Sequence, residues 1–183
     1  MSDQRKINRT NVRVVKGDIT DLEIDAFVYY ARPDLKLGSG FGTAISVRGG
    51  PSIQEELNQL APRKITEAVV TNAGEMKAKF IVHAVGPAFQ EDNLEEKLRV
   101  TIRNTLREAE SKGITQIALP PMGAGFYAVP LASSADITVS AVADYLAGDT
   151  NIKEVVICAL DTREFKPIEE KLAKLTPNVK EHV

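Results

Sequence analysis

The 183-residue chain has no tryptophan, one cysteine and two histidines, and aromatic residues make up only 5% of it. Each shortage closes a route. A lone cysteine, Cys158, excludes an intrachain disulfide framework and suits a reducing compartment. His83 and His182 lie far apart in the sequence, and no His, Cys or carboxylate cluster has metal-ligand spacing, so no metal and no cofactor are expected. No stretch approaches the ~18 apolar residues of a membrane span. The polar opening, Met1 to Asn11, lacks the apolar core of a targeting segment, which makes the cytoplasm the expected location. A formal net charge of −2 gives no general attraction for nucleic acid, although a local basic groove stays open. With few aromatics, the core must come from Val, Ile, Leu and Ala, which suits a sheet covered by helices on both faces.

What is present alternates in type. Short apolar runs read as strands over Val12–Val15, Ala26–Tyr30, Ala68–Asn72, Phe80–Val85, Gln116–Leu119 and Glu154–Leu160. Longer amphipathic runs read as helices over Ser52–Leu60, Leu94–Lys112, Leu131–Leu146 and Glu164–Leu175. Leu94, Leu98, Ile102, Leu106 and Ala109 give one apolar stripe, and Gly113 a natural stop. Pro130 suits the first turn of one helix, and Pro167 that of the last if it starts near Lys166. Residues 1–10 read as a flexible or added arm on a single domain spanning the chain. Strands separated by helices imply crossovers and a largely parallel sheet. In such sheets ligands sit beyond the carboxyl ends of the strands.

Three segments fall at that position. Gly38-Ser39-Gly40-Phe41-Gly42 precedes a helix expected to start near Thr43, whose free N–H groups favour an anion. Alone, this loop fits a plain flexible turn equally well. Pro120-Pro121-Met122-Gly123-Ala124-Gly125-Phe126-Tyr127 also joins a strand end to a helix start, where phosphate is easily held. Tyr127 either meets a ligand or packs beneath the loop. Asp18 ends the first strand at Gly17-Asp18-Ile19, as a base-recognising acceptor or as a turn cap. His83, inside Phe80–Val85, and Cys158, between EVVI and AL, read as packed core residues rather than catalytic groups.

In order and spacing these segments, with Ile81-Val82-His83-Ala84-Val85-Gly86-Pro87, resemble the macrodomain family from about Val12 to Phe165. The resemblance implies a three-layer α/β/α sandwich with a mixed, largely parallel central sheet. It implies binding of ADP-ribose, free or on an ADP-ribosylated protein. By position Asp18 would accept from the adenine amino group beside Ile19. Gly38, Ser39, Gly40, Phe41 and Gly42 would cover the diphosphate and distal ribose. Gly123, Ala124, Gly125, Phe126 and Tyr127 would hold the diphosphate from the other side. Leu160 stands where many relatives carry an aromatic against adenine.

The resemblance also breaks. Hydrolases of the family carry Asn-Ala-Ala-Asn where this chain has Tyr29-Tyr30-Ala31-Arg32, and an Asp where it has Gly42. Tyr30 and Arg32 are therefore candidate ligand contacts in place of that asparagine motif. Arg32 either pairs with a phosphate or points to solvent. Tyr29 and Tyr30 point to opposite faces of a strand, so one of them is expected to line the cleft. Three functions stay open: an ADP-ribose-binding module, an ADP-ribosyl hydrolase or O-acetyl-ADP-ribose deacetylase, and a binder of RNA or another nucleotide derivative.

Overall fold

The computed structural model describes residues 4–38 and 40–175. In chain order these form β1 (Gln4–Ile7), β2 (Thr10–Lys16), β3 (Ala26–Ala31), α1 (Phe41–Gly49), α2 (Ser52–Leu60), β4 (Ala68–Asn72), β5 (Phe80–Val85), α3 (Leu94–Ser111), β6 (Gln116–Leu119), α4 (Leu131–Leu146), β7 (Glu154–Ala159) and α5 (Thr162–Lys174). Single 3-10 turns occupy Ile19–Asp21 and Gly125–Tyr127. Ser39 and His182 lie outside the described residues.

The strands make one sheet in the order β1-β2-β7-β6-β3-β5-β4. The inner pairings are parallel, and β1 and β4 add antiparallel edges. This is the mixed, largely parallel sheet expected from the sequence. Side chains alternate between its faces because the strand period is two. On β7, Val155, Ile157 and Ala159 face the core shared with α3, α4 and α5, whereas Val156 and Cys158 face the core shared with α1 and α2. On β3 the same alternation sends Val28 and Tyr30 one way and Phe27 and Tyr29 the other. Helices therefore cover both faces. On α3 the stripe Leu98, Ile102, Leu106 and Ala109 is fully buried, as its spacing predicts.

Three expectations need correction. Residues 4–7 are a paired strand, not a flexible arm. Arg5 donates to the carbonyls of Ala173 (3.3 Å) and Leu175, tying this edge to the end of α5. The strand was hard to read because it is polar, as exposed edge strands often are. Pro167 lies well inside α5, not in its first turn. Asp161 sets the earlier start, its Oδ1 accepting from the Glu164 amide at 3.1 Å. Ile168 and Leu172, one turn apart and fully buried, hold the helix beyond the proline. Finally, α1 begins at Phe41, ahead of Thr43.

Candidate ligand-binding cleft

The carboxyl ends of β2, β3, β6 and β7 enclose a cleft of about 330 Å³. A larger depression of about 820 Å³ crosses α3 and α4, but it is an open surface of mixed charge (Glu95, Glu96, Arg99, Arg103, Asp144) away from the strand ends. Pockets that orient a small ligand are apolar with a few placed polar groups. The cleft fits that description, with Val28, Pro120, Pro121 and Cys158 among its walls and Asp18 and Arg32 at its polar points.

Asp18 sits where β2 leaves the sheet. The Gly17 amide donates to the Ala159 carbonyl at 2.9 Å, so the turn stays registered against β7. The Asp18 carboxylate caps the 3-10 turn, Oδ1 accepting from the Thr20 amide at 2.9 Å and the Thr20 hydroxyl at 2.6 Å. Its Oδ2 pairs with Arg48 at 2.8 Å. Burial acts to raise the Asp18 pKa, but Thr20 and the Arg48 guanidinium outweigh it and hold the group below the ordinary carboxylate value. Asp18 is thus both a cap and a cleft residue. Ile19 and Leu160 join it on the lining, Leu160 at the rim and 67% exposed.

Another wall is the segment after β6, and α4 holds it. The Met122 amide donates to Thr138 Oγ1 (2.9 Å), and Ser134 Oγ donates to the Met122 carbonyl (2.7 Å). Both hydroxyl residues are fully buried. Gly123 has φ +80°, and a Cβ there would meet Val129 Cγ2 at 2.7 Å, so only glycine turns the chain here. Gly123, Ala124, Gly125 and Tyr127 all line the cleft. The Tyr127 ring lies against Tyr30, with centroids 4.6 Å apart. Burial pushes the Tyr127 hydroxyl up to about 12, so the phenol stays protonated.

At the floor, both tyrosines of β3 reach the cleft, correcting the expectation that one would. The strand end is open, so a ring on either face meets it. The Tyr30 hydroxyl donates to the Pro87 carbonyl, and the ring fills the space that a side chain at Gly86 would take. Tyr29 stacks on Phe41 at 6.1 Å and meets the edge of His83 at 6.0 Å. Gly40 and Phe41, at the start of α1, line the cleft, but Gly38 and Gly42 do not. Gly42 serves packing instead, because a Cβ there would stand 2.8 Å from the Tyr29 hydroxyl.

Arg32 does line the cleft, half-exposed, with its guanidinium 2.9 Å from Asp34. His83 is fully buried, and its Nε2 shares a hydrogen bond with Thr71 at 2.8 Å. Cys158 is a wall residue whose thiol burial pushes up to about 11, far from a reactive thiolate. Both are the packed residues expected. Sequence reasoning named Pro120 and Pro121 only as the start of the phosphate loop, and it missed Arg48 and Glu164. Arg48 carried no signal, because its partners lie far upstream.

The match with known proteins agrees with this geometry. The family model described as Macro domain matches residues 31–138, more than half of the chain. A macro domain-containing protein of Caldanaerobacter subterraneus is 35% identical over 167 residues, covering 86% of this chain and 93% of the relative. An O-acetyl-ADP-ribose deacetylase of Cronobacter sakazakii is 33% identical over 160 residues, covering 84% and 89%. A longer protein of Thermotoga maritima is 35% identical over 170 residues, covering 88% of this chain but 28% of that protein. Among solved structures, the Oceanobacillus iheyensis macrodomain with ADP superposes with a TM-score of 0.87 at 25% identity, covering 93% of this chain and 94% of that one. Fold and cleft together define an α/β domain built to hold a ligand at its strand ends. The chain belongs to the macro domain family.

Proposed function

We propose that this protein binds ADP-ribose, free or attached to a protein, in the cleft at the strand ends. The observation that carries the reading is that Asp18 and the Gly123–Tyr127 segment, following β2 and β6, line one cleft of about 330 Å³. Asp18, an ionised acceptor, takes the adenine amino group, with Ile19 and Leu160 against the ring. Backbone amides around Gly123–Gly125 and the start of α1 at Gly40–Phe41 take the diphosphate. Arg32 and Tyr127 meet the distal end. The ADP-bound Oceanobacillus iheyensis macrodomain supports this reading. The lone cysteine, held as a free thiol, favours a cytoplasmic location.

The test is calorimetric titration of ADP-ribose into wild type and Asp18→Ala. Wild type binds, and the variant loses at least about tenfold in affinity, the worth of a hydrogen bond to a charged group. Unaltered affinity would mean that the adenine end is assigned wrongly.

A second reading is favoured by the similarity to the Cronobacter sakazakii deacetylase. Here the cleft would release acetate from O-acetyl-ADP-ribose. Its lining carboxylates, Asp18 and Glu164, both accept hydrogen bonds from protein groups, and its phenols are held protonated by burial. With no unengaged general base among the described lining residues, the water would have to be held by the substrate itself. Acetate release above the uncatalysed rate, or turnover of an ADP-ribosylated protein, decides for catalysis over binding alone.

A further inference from the structure

The Asp18 carboxylate is held from two sides, and the second side comes from a distant helix. Arg48 lies in the last turn of α1, yet one of its nitrogens, Nη1, reaches three oxygens of the Asp18–Asp21 turn. It lies 2.8 Å from Asp18 Oδ2 and 3.2 Å from Asp21 Oδ1, and it donates to Thr20 Oγ1. Thr20 is buried, and its single hydroxyl proton goes to Asp18 Oδ1. The contacts close into a ring: Arg48 gives to Thr20, Thr20 gives to Asp18, and the Arg48 guanidinium forms an ion pair with Asp18.

This ring restricts what Asp18 can do. A carboxylate has roughly four acceptor positions. The Thr20 amide and hydroxyl take both positions on Oδ1, and Arg48 takes one on Oδ2. The position left lies on Oδ2, on a group that lines the cleft. Asp18 has no proton to give, because each contact around it is a donor. It can therefore receive an amino group but not a ring carbonyl.

We propose that Arg48 is a positioning residue that fixes the rotation of the Asp18 carboxylate, and so makes the cleft select a 6-amino purine over a 6-oxo purine. This rests on the binding reading above, with Asp18 at the base. The physical reason lies in the pair of states compared. Without Arg48, the carboxylate keeps its Thr20 bonds but loses the charge that holds Oδ2 in place and deprotonated. It can then turn, or take up a proton and donate to a carbonyl oxygen. Discrimination falls even though no ligand contact has been removed.

The experiment compares ADP and IDP by calorimetry on wild type, Arg48→Ala and Arg48→Lys, from pH 7 down through the ordinary carboxylate range near about pH 4. Wild type prefers ADP by roughly tenfold or more, the scale of a charge-assisted hydrogen bond. Arg48→Ala loses most of that ratio, mainly through weaker ADP binding, and its ADP affinity begins to fall at a higher pH than in wild type. Arg48→Lys, which keeps the charge, recovers the acid limb and part of the ratio. Melting curves identify any variant that fails to fold, and Arg48→Lys then carries the comparison through its altered ratio. An unchanged ADP-to-IDP ratio and pH profile in folded Arg48→Ala overturns the role of Arg48. ADP binding without preference over IDP in wild type overturns selection while leaving the cleft assignment standing. Wild type that binds neither ADP nor ADP-ribose overturns the binding reading itself, and this inference with it.

Discussion

Arg32 shows how one residue changes what a cleft can hold. Its guanidinium lines the cavity and, among the described residues, pairs with the half-exposed Asp34 at 2.9 Å. Such a pair is weak in water and gives way to a better anion. A planar guanidinium matches a phosphate in two parallel bonds. Arg32→Ala should therefore cost more for ADP-ribose carrying a terminal phosphate than for ADP-ribose itself, by about tenfold. Titration of both ligands into both proteins checks this, and equal losses would return Arg32 to the solvent. Asp18 teaches a related lesson at the same scale. A turn cap and a ligand acceptor were alternatives in the sequence, yet the residue that caps the turn through Oδ1 also lines the cleft.

At the scale of elements, α4 ties down the segment after β6 at Met122. Ser134 and Thr138, one turn apart and fully buried, bond the carbonyl and amide of Met122. Replacing Thr138 by Val keeps the shape but leaves the buried Met122 amide unpaired, at a cost of about 1–3 kcal/mol. Urea unfolding should show that loss, and ADP-ribose affinity should fall as the loop loosens. Full stability in Thr138→Val would mean that α4 does not set the loop.

The elements themselves were largely legible in the sequence. Five of them, β4, β5, β6, α2 and α4, fall on the residues their periodicity assigns. What stayed hidden obeys weaker signals. Polar β1 pairs through its backbone, which no side-chain pattern records. Pro167 suits a first turn only if the helix starts near Lys166, and the Asp161 cap sets the start earlier than the Glu164 read from the sequence. In the site, glycine content located both loops, but it does not tell Gly123, which turns the chain at the cleft, from Gly42, which makes room for Tyr29. Arg48 illustrates the hardest case, a contact made only when α1 folds back over the first turn.

For the molecule as a whole, stability should depend on pH through one buried group. His83 is fully enclosed, and burial pushes its pKa down to about 3 from the ordinary 6.5. The folded protein therefore stays unprotonated there while the unfolded chain takes up a proton. Its contribution is fully present above the unfolded value and declines as pH falls from about 6.5 toward 3, at up to about 1.4 kcal/mol per unit. Asp18 and Glu110, held below the usual carboxylate range, weaken the fold only at lower pH. Melting curves between pH 7.5 and 5 should fall in wild type and flatten in His83→Leu. Parallel slopes in the two proteins would remove His83 as the cause. The same molecule also carries a built-in optical reporter. It has four tyrosines and no tryptophan, so its ultraviolet emission comes from phenols alone. Tyr29, Tyr30 and Tyr127 line the cleft, and the fourth, Tyr145, sits apart with its hydroxyl on Glu110. A ligand entering this cleft as proposed would then be followed in unlabelled protein, because three of the four phenols line it.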